Sequence, residues 1–434
     1  MVEPVIISRA EHTISRRDID PDALKVLYRL QQSHFDAYLV GGGVRDLLLG
    51  RRPKDFDIAT NAHPYQIKKL FRNCWIIGRR FRLAHVKFGQ KTIEVATFRR
   101  NVPDPLPDEA TEVDDPPVVV ASSPEAPGRD DQDGIIRRDN TFGTPEEDAF
   151  RRDFTVNALV YDIATYSIID YVGGLGDLER RVIRSIGNPM VRFVEDPVRM
   201  LRAAVFSSRL GFTLDELVLK AIATLKPLIG KAAAPRLLEE YYKILRSGYA
   251  EASFRTLDNL GLLELMTPEL RNPSDDVWDS LARLDAYRRR FDAPPPELTN
   301  AILVGALLVP AGLMSRKAPG ATDTRVNFGM LPIARRDIDR LGQIVSLVPR
   351  MLDPEPSARL TRSLPGRPAF RDALLWLEIF TDAPDELAAW MALRSVASAP
   401  GPESDDAAGP GTGRRKRRRR GRRRGGRGTS AKTE

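Results

Sequence analysis

Cysteine is almost absent: Cys74 is the only one in 434 residues. A lone thiol excludes an intramolecular disulfide, and four histidines at no ligand spacing leave no set for a Cys/His zinc site. Long apolar runs are missing too. The longest, Ala301 to Met314, has 14 residues and is broken by Pro310, which is too short for a bilayer and suits a buried helix. The first residues include Glu3, Arg9, Glu11, Arg16 and Arg17, so no apolar signal-peptide core is expected there. These absences predict a protein of the reducing cytoplasm with no membrane insertion.

What is abundant is charge, and it is unevenly placed. The net charge is +8, yet residues 401–434 alone hold 12 Lys/Arg against 4 Asp/Glu, so the other 400 residues sum to zero. Within those, residues 1–100 carry 19 basic and 10 acidic side chains, whereas residues 101–128 carry seven acids and no Lys/Arg. From Lys68 to Ile93 there are eight basic residues and no acid, a local field that attracts phosphates whatever the net charge elsewhere. The seven prolines of 101–128 resist helix and sheet, so an acidic insertion loop is expected over about 101–140. The tail ends in RRKRRRRGRRRGGRG, whose mutual repulsion and glycines predict a disordered basic segment. Arg417, Arg418 and Arg419 lie in its densest part and are expected to bind RNA by counterion release.

Apolar spacing predicts strands at 37–41, 56–59, 85–88 and 92–98, with Gly89-Gln90 as a hairpin-like gap. Helical turns are expected at 44–49 and from Pro64 to Phe71. After Val182 the pattern turns helical, as in 197–210, 234–245 and 333–347. The expected class is α+β: a small mixed α/β domain over 1–180, a helical neck over 181–250, a helical body over 251–400 and the basic tail. Trp278, Trp376 and Trp390 are expected to be buried in the helical part.

Three motifs suggest chemistry. In Leu39-Val40-Gly41-Gly42-Gly43-Val44-Arg45-Asp46 a strand runs into glycines, which let backbone approach a ligand closely, so Gly41, Gly42 and Arg45 are candidates to frame phosphates. In Lys54-Asp55-Phe56-Asp57, Asp55 and Asp57 are two apart on a strand and share a face. Two carboxylates there repel unless a cation joins them, and hard oxygen ligands suit Mg²⁺ or Mn²⁺. A third acid has two candidates, Glu94 on a strand and Asp153 beside Arg151 and Arg152, whose guanidinium groups suit a triphosphate. On a helix, Asp196 and Arg199 are three apart, an acceptor and a donor able to address a base edge or simply to pair with each other.

These motifs, with Arg151-Arg152-Asp153-Phe154-Thr155-Val156-Asn157-Ala158 and Glu195-Asp196-Pro197-Val198-Arg199-Met200-Leu201-Arg202, occur in the order found in the tRNA nucleotidyltransferase/poly(A) polymerase family. The resemblance runs from about residue 35 to 250. It implies a small nucleotidyltransferase palm domain followed by all-α neck and body domains. It also implies ATP as substrate and catalytic metal on Asp55 and Asp57, with Asp153 as the third acid. Arg152, Asn157 and Arg202 would bind the nucleotide, and Asp196 and Arg199 would read its base without a template.

Ile76-Ile77-Gly78-Arg79-Arg80-Phe81-Arg82 and Ala234-Pro235-Arg236-Leu237-Leu238-Glu239-Glu240 resemble the poly(A) polymerase branch, with Arg79, Arg80 and Arg82 suited to RNA phosphates. The implied activity is AMP transfer to RNA 3′ ends in mRNA processing or decay, with RNA-degradation machinery as a possible partner. A CCA-adding tRNA nucleotidyltransferase is the nearest alternative. A catalytically inactive RNA-binding regulator is less favoured, because every carboxylate of the motifs is present. One departure stands out: Val205 occupies a position where relatives commonly have arginine, which leaves Arg202 or Arg209 to supply that charge.

Overall fold

The computed structural model describes residues 3–78, 82–100, 142–314 and 327–398. The predicted acidic loop, Arg79, Arg80 and the arginines of the tail lie outside the described residues.

Eight strands form one sheet: β1 (Val5–Ile7), β2 (Ala37–Val40), β3 (Asp57–Thr60), β4 (Cys74–Ile77), β5 (Leu83–Phe88), β6 (Lys91–Thr97), β7 (Val160–Asp162) and β8 (Ser167–Asp170). Their order is β1-β8-β7-β2-β3-β6-β5-β4, and every neighbouring pair is antiparallel except β3 with β6. Gly89-Gln90 does join β5 to β6 as a two-residue turn, with Gly89 at φ +61°. One sheet face is apolar: Ile58, Val95, Ala84, Val86 and Cys74 are buried there. The first helix, α1 (Pro21–Gln32), starts with proline in its first turn and with Asp20 accepting from the Asp22 and Ala23 N–H groups. Its buried residues Ala23, Val26, Leu27 and Leu30 follow the 3.6 period and cover that face.

Three further helices lie among these strands in sequence. From β2 the chain turns at Gly41 into α2 (Gly42–Leu48). After β3 comes α3 (Pro64–Leu70), packed on β4 and β5. A capping box between Thr144 and Glu147 starts α4 (Pro145–Phe150), which carries Asp148 into the interior.

Beyond β8 and α5 (Gly174–Arg180) the described residues form helices and loops apart from a two-stranded ladder, β9 (Val182–Ile183) with β10 (Thr213–Leu214). This ladder brackets α6 (Pro189–Glu195) and α7 (Val198–Leu210), and α8 (Glu216–Leu225) and α9 (Ala234–Leu245) follow. The later helices include Asp275–Arg288, Asn300–Leu308, Arg335–Met351 and Phe370–Phe380. Asn300–Leu308 is apolar on all sides and buried from Ala301 to Leu308, ending short of the predicted Met314. Trp278, Trp376 and Trp390 are buried as expected. Among the described residues no helix is long and apolar enough to cross a membrane.

A candidate nucleotidyltransferase site

The turn from β2 into α2 forms one wall of a cleft of about 280 Å³ lined by Gly41, Gly42, Gly43, Arg45, Asp46, Lys54, Asp55, Asp57, Arg152, Asn157, Arg202, Phe206 and Arg209. Gly41 has φ +73°, and a Cβ there would stand 2.9 Å from Arg152 Nη1. The positive φ is what requires glycine; the guanidinium is the end of a flexible side chain, and its closeness shows how directly Arg152 lies over the turn. A Cβ on Gly43 would lie 3.3 Å from the Asp55 carbonyl oxygen, so the turn packs directly against the Asp-x-Asp segment.

Arg45 is 2% exposed, and each of its three side-chain nitrogens donates a hydrogen bond. Nε and Nη2 donate to Asp46 Oδ1 at 2.8 and 2.6 Å, and Nη1 donates to Asn157 Oδ1. It therefore holds Asn157 and Asp46 in place as the floor of the cleft. Phe206 lies above this floor, with the Arg45 and Arg202 guanidinium groups 5.7 and 5.8 Å from its ring centre.

The Asp-x-Asp pair opens into the cleft. The Asp57 carboxyl is pushed up to about 6, chiefly by the loss of solvent in this concavity and then by the negative charge of Glu94, with Asp55 adding and Arg152 opposing. Glu94 reaches this position through register: β3 and β6 pair Ile58 with Val95, so Asp57 and Glu94 are side by side on the other face. Among the described residues no three His, Cys, Asp or Glu side chains form a ready-made metal cage. Two carboxylates opening into one cleft nonetheless fit a hard divalent ion, which takes few protein ligands and completes its shell with water and substrate phosphate.

Asp148, 3% exposed, organises the two adjacent arginines. Arg151 donates to its Oδ1 at 2.8 Å, and Arg152 to its Oδ2 at 3.0 Å. Burial alone would raise the Asp148 carboxyl, but Arg152 and Arg151 outweigh it and hold it below the ordinary range. Arg152 also donates to the Asn157 carbonyl at 3.3 Å, which directs it toward Gly41 and the cleft. From α6, Arg192 donates to the carbonyls of Arg151 and Arg152 at 2.8 and 2.9 Å.

Asp153 lies apart from the Asp-x-Asp pair. Arg199 Nε donates to its Oδ1 at 2.9 Å, and Arg202 Nη1 pairs with its Oδ2 at 2.6 Å. Arg199 also donates to Glu195 at 3.0 Å, while Asp196 accepts a two-pronged bond from Arg236 at 3.2 and 2.8 Å. The sequence candidates thus divide into the cleft and an adjoining ionic network, with Arg202 common to both. Arg82 belongs to neither; it sits near Tyr65 at the sheet edge.

Lys54, Asp46, Gly43 and Phe206 are cleft residues that the motifs did not single out for this role, and Arg209, one of the two arginines expected to make up for Val205, lines the cleft as well. Lys54 adjoins the Asp-x-Asp motif and was legible by proximity; its ammonium is held below the usual value by burial and by Arg209 and Arg288. Val205 packs toward the core, while Arg202 and Arg209 on either side of it both line the cleft.

A glycine turn, an aspartate pair on a mixed sheet and converging arginines define a nucleotidyltransferase-type centre. The chain belongs to the tRNA nucleotidyltransferase/poly(A) polymerase family: residues 37–184 match the poly A polymerase head domain and 211–272 the probable RNA and SrmB-binding site of polymerase A. Poly(A) polymerase I of Escherichia coli O157:H7 is 47% identical over 275 residues, 63% of this chain and 56% of that protein. The Haemophilus influenzae enzyme of the same name is 42% identical, over 64% and 58%. A CCA-adding enzyme of Pediococcus pentosaceus is 34% identical, over 68% and 66%. Among solved structures, the Bacillus stearothermophilus CCA-adding enzyme in complex with CTP aligns with a TM-score of 0.56 and 27% identity, over 87% of this chain and 82% of that one. The chain thus spans little more than half the length of the poly(A) polymerases it matches.

Proposed function

We propose that the protein is a template-independent polynucleotide adenylyltransferase that transfers AMP from ATP to an RNA 3′-hydroxyl. The observation that carries this reading is the convergence of Asp55, Asp57, Arg152, Asn157, Arg202 and Arg209 on one cleft. The identity to two poly(A) polymerases, higher than to the CCA-adding relative, supports ATP as the nucleotide.

In the reaction the RNA 3′-oxygen attacks the α-phosphorus, a new P–O bond forms, the α–β bridging bond breaks, and pyrophosphate leaves. Asp55 and Asp57 would hold Mg²⁺ or Mn²⁺, which when bound supplies positive charge at the attacking and leaving oxygens. Glu94 suits the third acidic position better than Asp153, because its charge already acts on Asp57 while Asp153 is taken by Arg199 and Arg202. Lys54, Arg152, Arg202 and Arg209 neutralise the triphosphate, and the glycine turn lets it approach backbone. Asn157, fixed by Arg45, would orient the sugar.

Asp196 accepts from, and Arg199 donates to, the adenine edge, with Arg236, Glu195 and Asp153 setting their positions. Residues 1–180 act as head, 181–250 as neck and 251–400 as body, the last two binding RNA with the basic tail. The setting that the resemblance suggests is cytoplasmic mRNA processing or decay, with RNA-degradation machinery as partner.

With ATP, Mg²⁺ and a 3′-hydroxyl RNA, the protein should release one pyrophosphate for each AMP added. A 3′-deoxy RNA should give neither product. Pyrophosphate release that ignores the RNA 3′ end would contradict the assignment.

A further inference from the structure

The face of the sheet that bears Asp57 continues outward as a row of polar and aromatic side chains. Glu94 on β6 is opposite His85 on β5, and His85 is opposite Trp75 on β4, so Asp57, Glu94, His85 and Trp75 stand side by side across four strands. The buried residues between them in sequence, Ile58, Val95, Ala84, Val86 and Cys74, all point to the opposite face, as the strand period requires. The row spans three strand spacings, about 14 Å. It ends at β4, the edge of the sheet.

At that edge the surface is aromatic and basic. Trp75 is 52% exposed and Tyr65 of α3 is 61% exposed, and with Lys68, Ile76, Gly78 and Arg82 they line an open depression of about 450 Å³. The Lys87 ammonium is 5.2 Å from the Trp75 ring centre, and the Arg82 guanidinium is 6.0 Å from that of Tyr65. Two large exposed rings stand on an edge strand and its helix, and each is accompanied by a cation. No acid occurs between Lys68 and Ile93. Exposed rings paired with cations match the chemistry of a single-stranded nucleic acid, whose bases stack on rings while its phosphates meet the charges.

We infer that Trp75 and Tyr65 form a stacking subsite for the primer RNA a few nucleotides upstream of its 3′ end. Lys68, Arg82 and Lys87 pair there with the phosphates, and the row from Asp57 to Trp75 is the path of the strand. The inference rests on the proposed RNA-extending reaction but names residues that reaction does not itself require. A protein partner would need an apolar surface facing an uncompensated basic field, which is the less favourable match.

Intrinsic fluorescence gives a direct test, because Trp75 is exposed whereas the other three tryptophans, Trp278, Trp376 and Trp390, are buried. Titration of the full chain with a ten-nucleotide oligoadenylate should quench tryptophan emission, and ATP alone should not. Trp75→Phe should abolish the quench while keeping the RNA KM, since the ring remains. Trp75→Ala should raise the KM for that primer about tenfold with the kcat and the ATP KM unchanged, and should leave a dinucleotide primer unaffected. An unchanged RNA KM in Trp75→Ala, or a quench that survives in Trp75→Phe, would overturn the subsite. If the unsubstituted protein does not extend RNA at all, the failure belongs to the proposed function, and the quench still reports on the subsite.

Discussion

Replacing Asp55 and Asp57 together by alanine is expected to lower AMP transfer by roughly 10³-fold or more while leaving RNA affinity nearly intact. The two effects separate because the substitutions remove carboxylates and leave every Lys and Arg in place. The carboxylates open into the cleft, where Glu94 and the loss of solvent already push Asp57 up to about 6. Removing them relieves that repulsion, so the fold should lose nothing, but it also removes the oxygen ligands for a divalent ion. On the proposed function, RNA affinity would come from phosphate pairing by Lys and Arg, and a substitution that deletes two negative charges would not weaken it. Single-turnover extension of a labelled primer, read beside a binding titration on the same preparations, makes the comparison. Extension near the unsubstituted rate would contradict the assignment of the metal to this pair.

A second large effect is expected at Asp148, which touches no substrate. It is buried and accepts from both Arg151 and Arg152, so Asp148→Ala leaves two cations without their shared partner next to the cleft. Breaking a buried ion pair costs about 3–5 kcal/mol; because both arginines reach solvent, a loss of about 2–3 kcal/mol is expected here. The sign of the pH dependence is fixed by the direction of the shift. The Asp148 carboxyl is held below its unfolded value, so its contribution is fully present above the ordinary carboxylate range and is lost as pH falls through the depressed value. Urea midpoints at neutral and acid pH should therefore differ less in Asp148→Asn than in the unsubstituted protein. The ATP KM should rise in both variants, because Arg152 loses the carboxylate that aims it at the Gly41 turn. Unchanged stability and an unchanged ATP KM would show that the arginines are held by other means.

Much of this site was legible from residue order, because its chemistry is carried by short local patterns. The β2 to α2 turn and the β5 to β6 hairpin are dictated by glycines and a two-residue gap and stand where those features put them, whereas the Asp-x-Asp motif is only partly strand: β3 begins at Asp57, and Asp55 lies in the loop before it. Less legible were pairings that only the sheet creates. Glu94 and Asp153 were equivalent as third acids in sequence, since nothing local says that β3 and β6 run in parallel with Ile58 beside Val95. Arg45 looked like a phosphate ligand because it follows glycines, but its burial and its bonds to Asp46 and Asn157 emerge only when residue 157 folds back onto α2. The strands β1, β4, β7 and β8 were missed: each has three or four residues, too few for a period to show, and none adjoins the Gly41 turn or the Asp55-x-Asp57 motif that mark the equally short β2 and β3. Trp75 carried no motif, and its meaning depends on β4 being the last strand of the sheet.

The choice of nucleotide is the most direct test of the whole account, because the cleft explains transfer in general while Asp196, Arg199 and Arg236 must explain the selection of adenine. The full chain is incubated with a short single-stranded RNA and one nucleoside triphosphate at a time, and the products are resolved by length. Long tails from ATP alone, with little or no product from CTP, are the predicted result. Addition that requires CTP and stops after three nucleotides would contradict it and assign the protein the CCA-adding reaction instead.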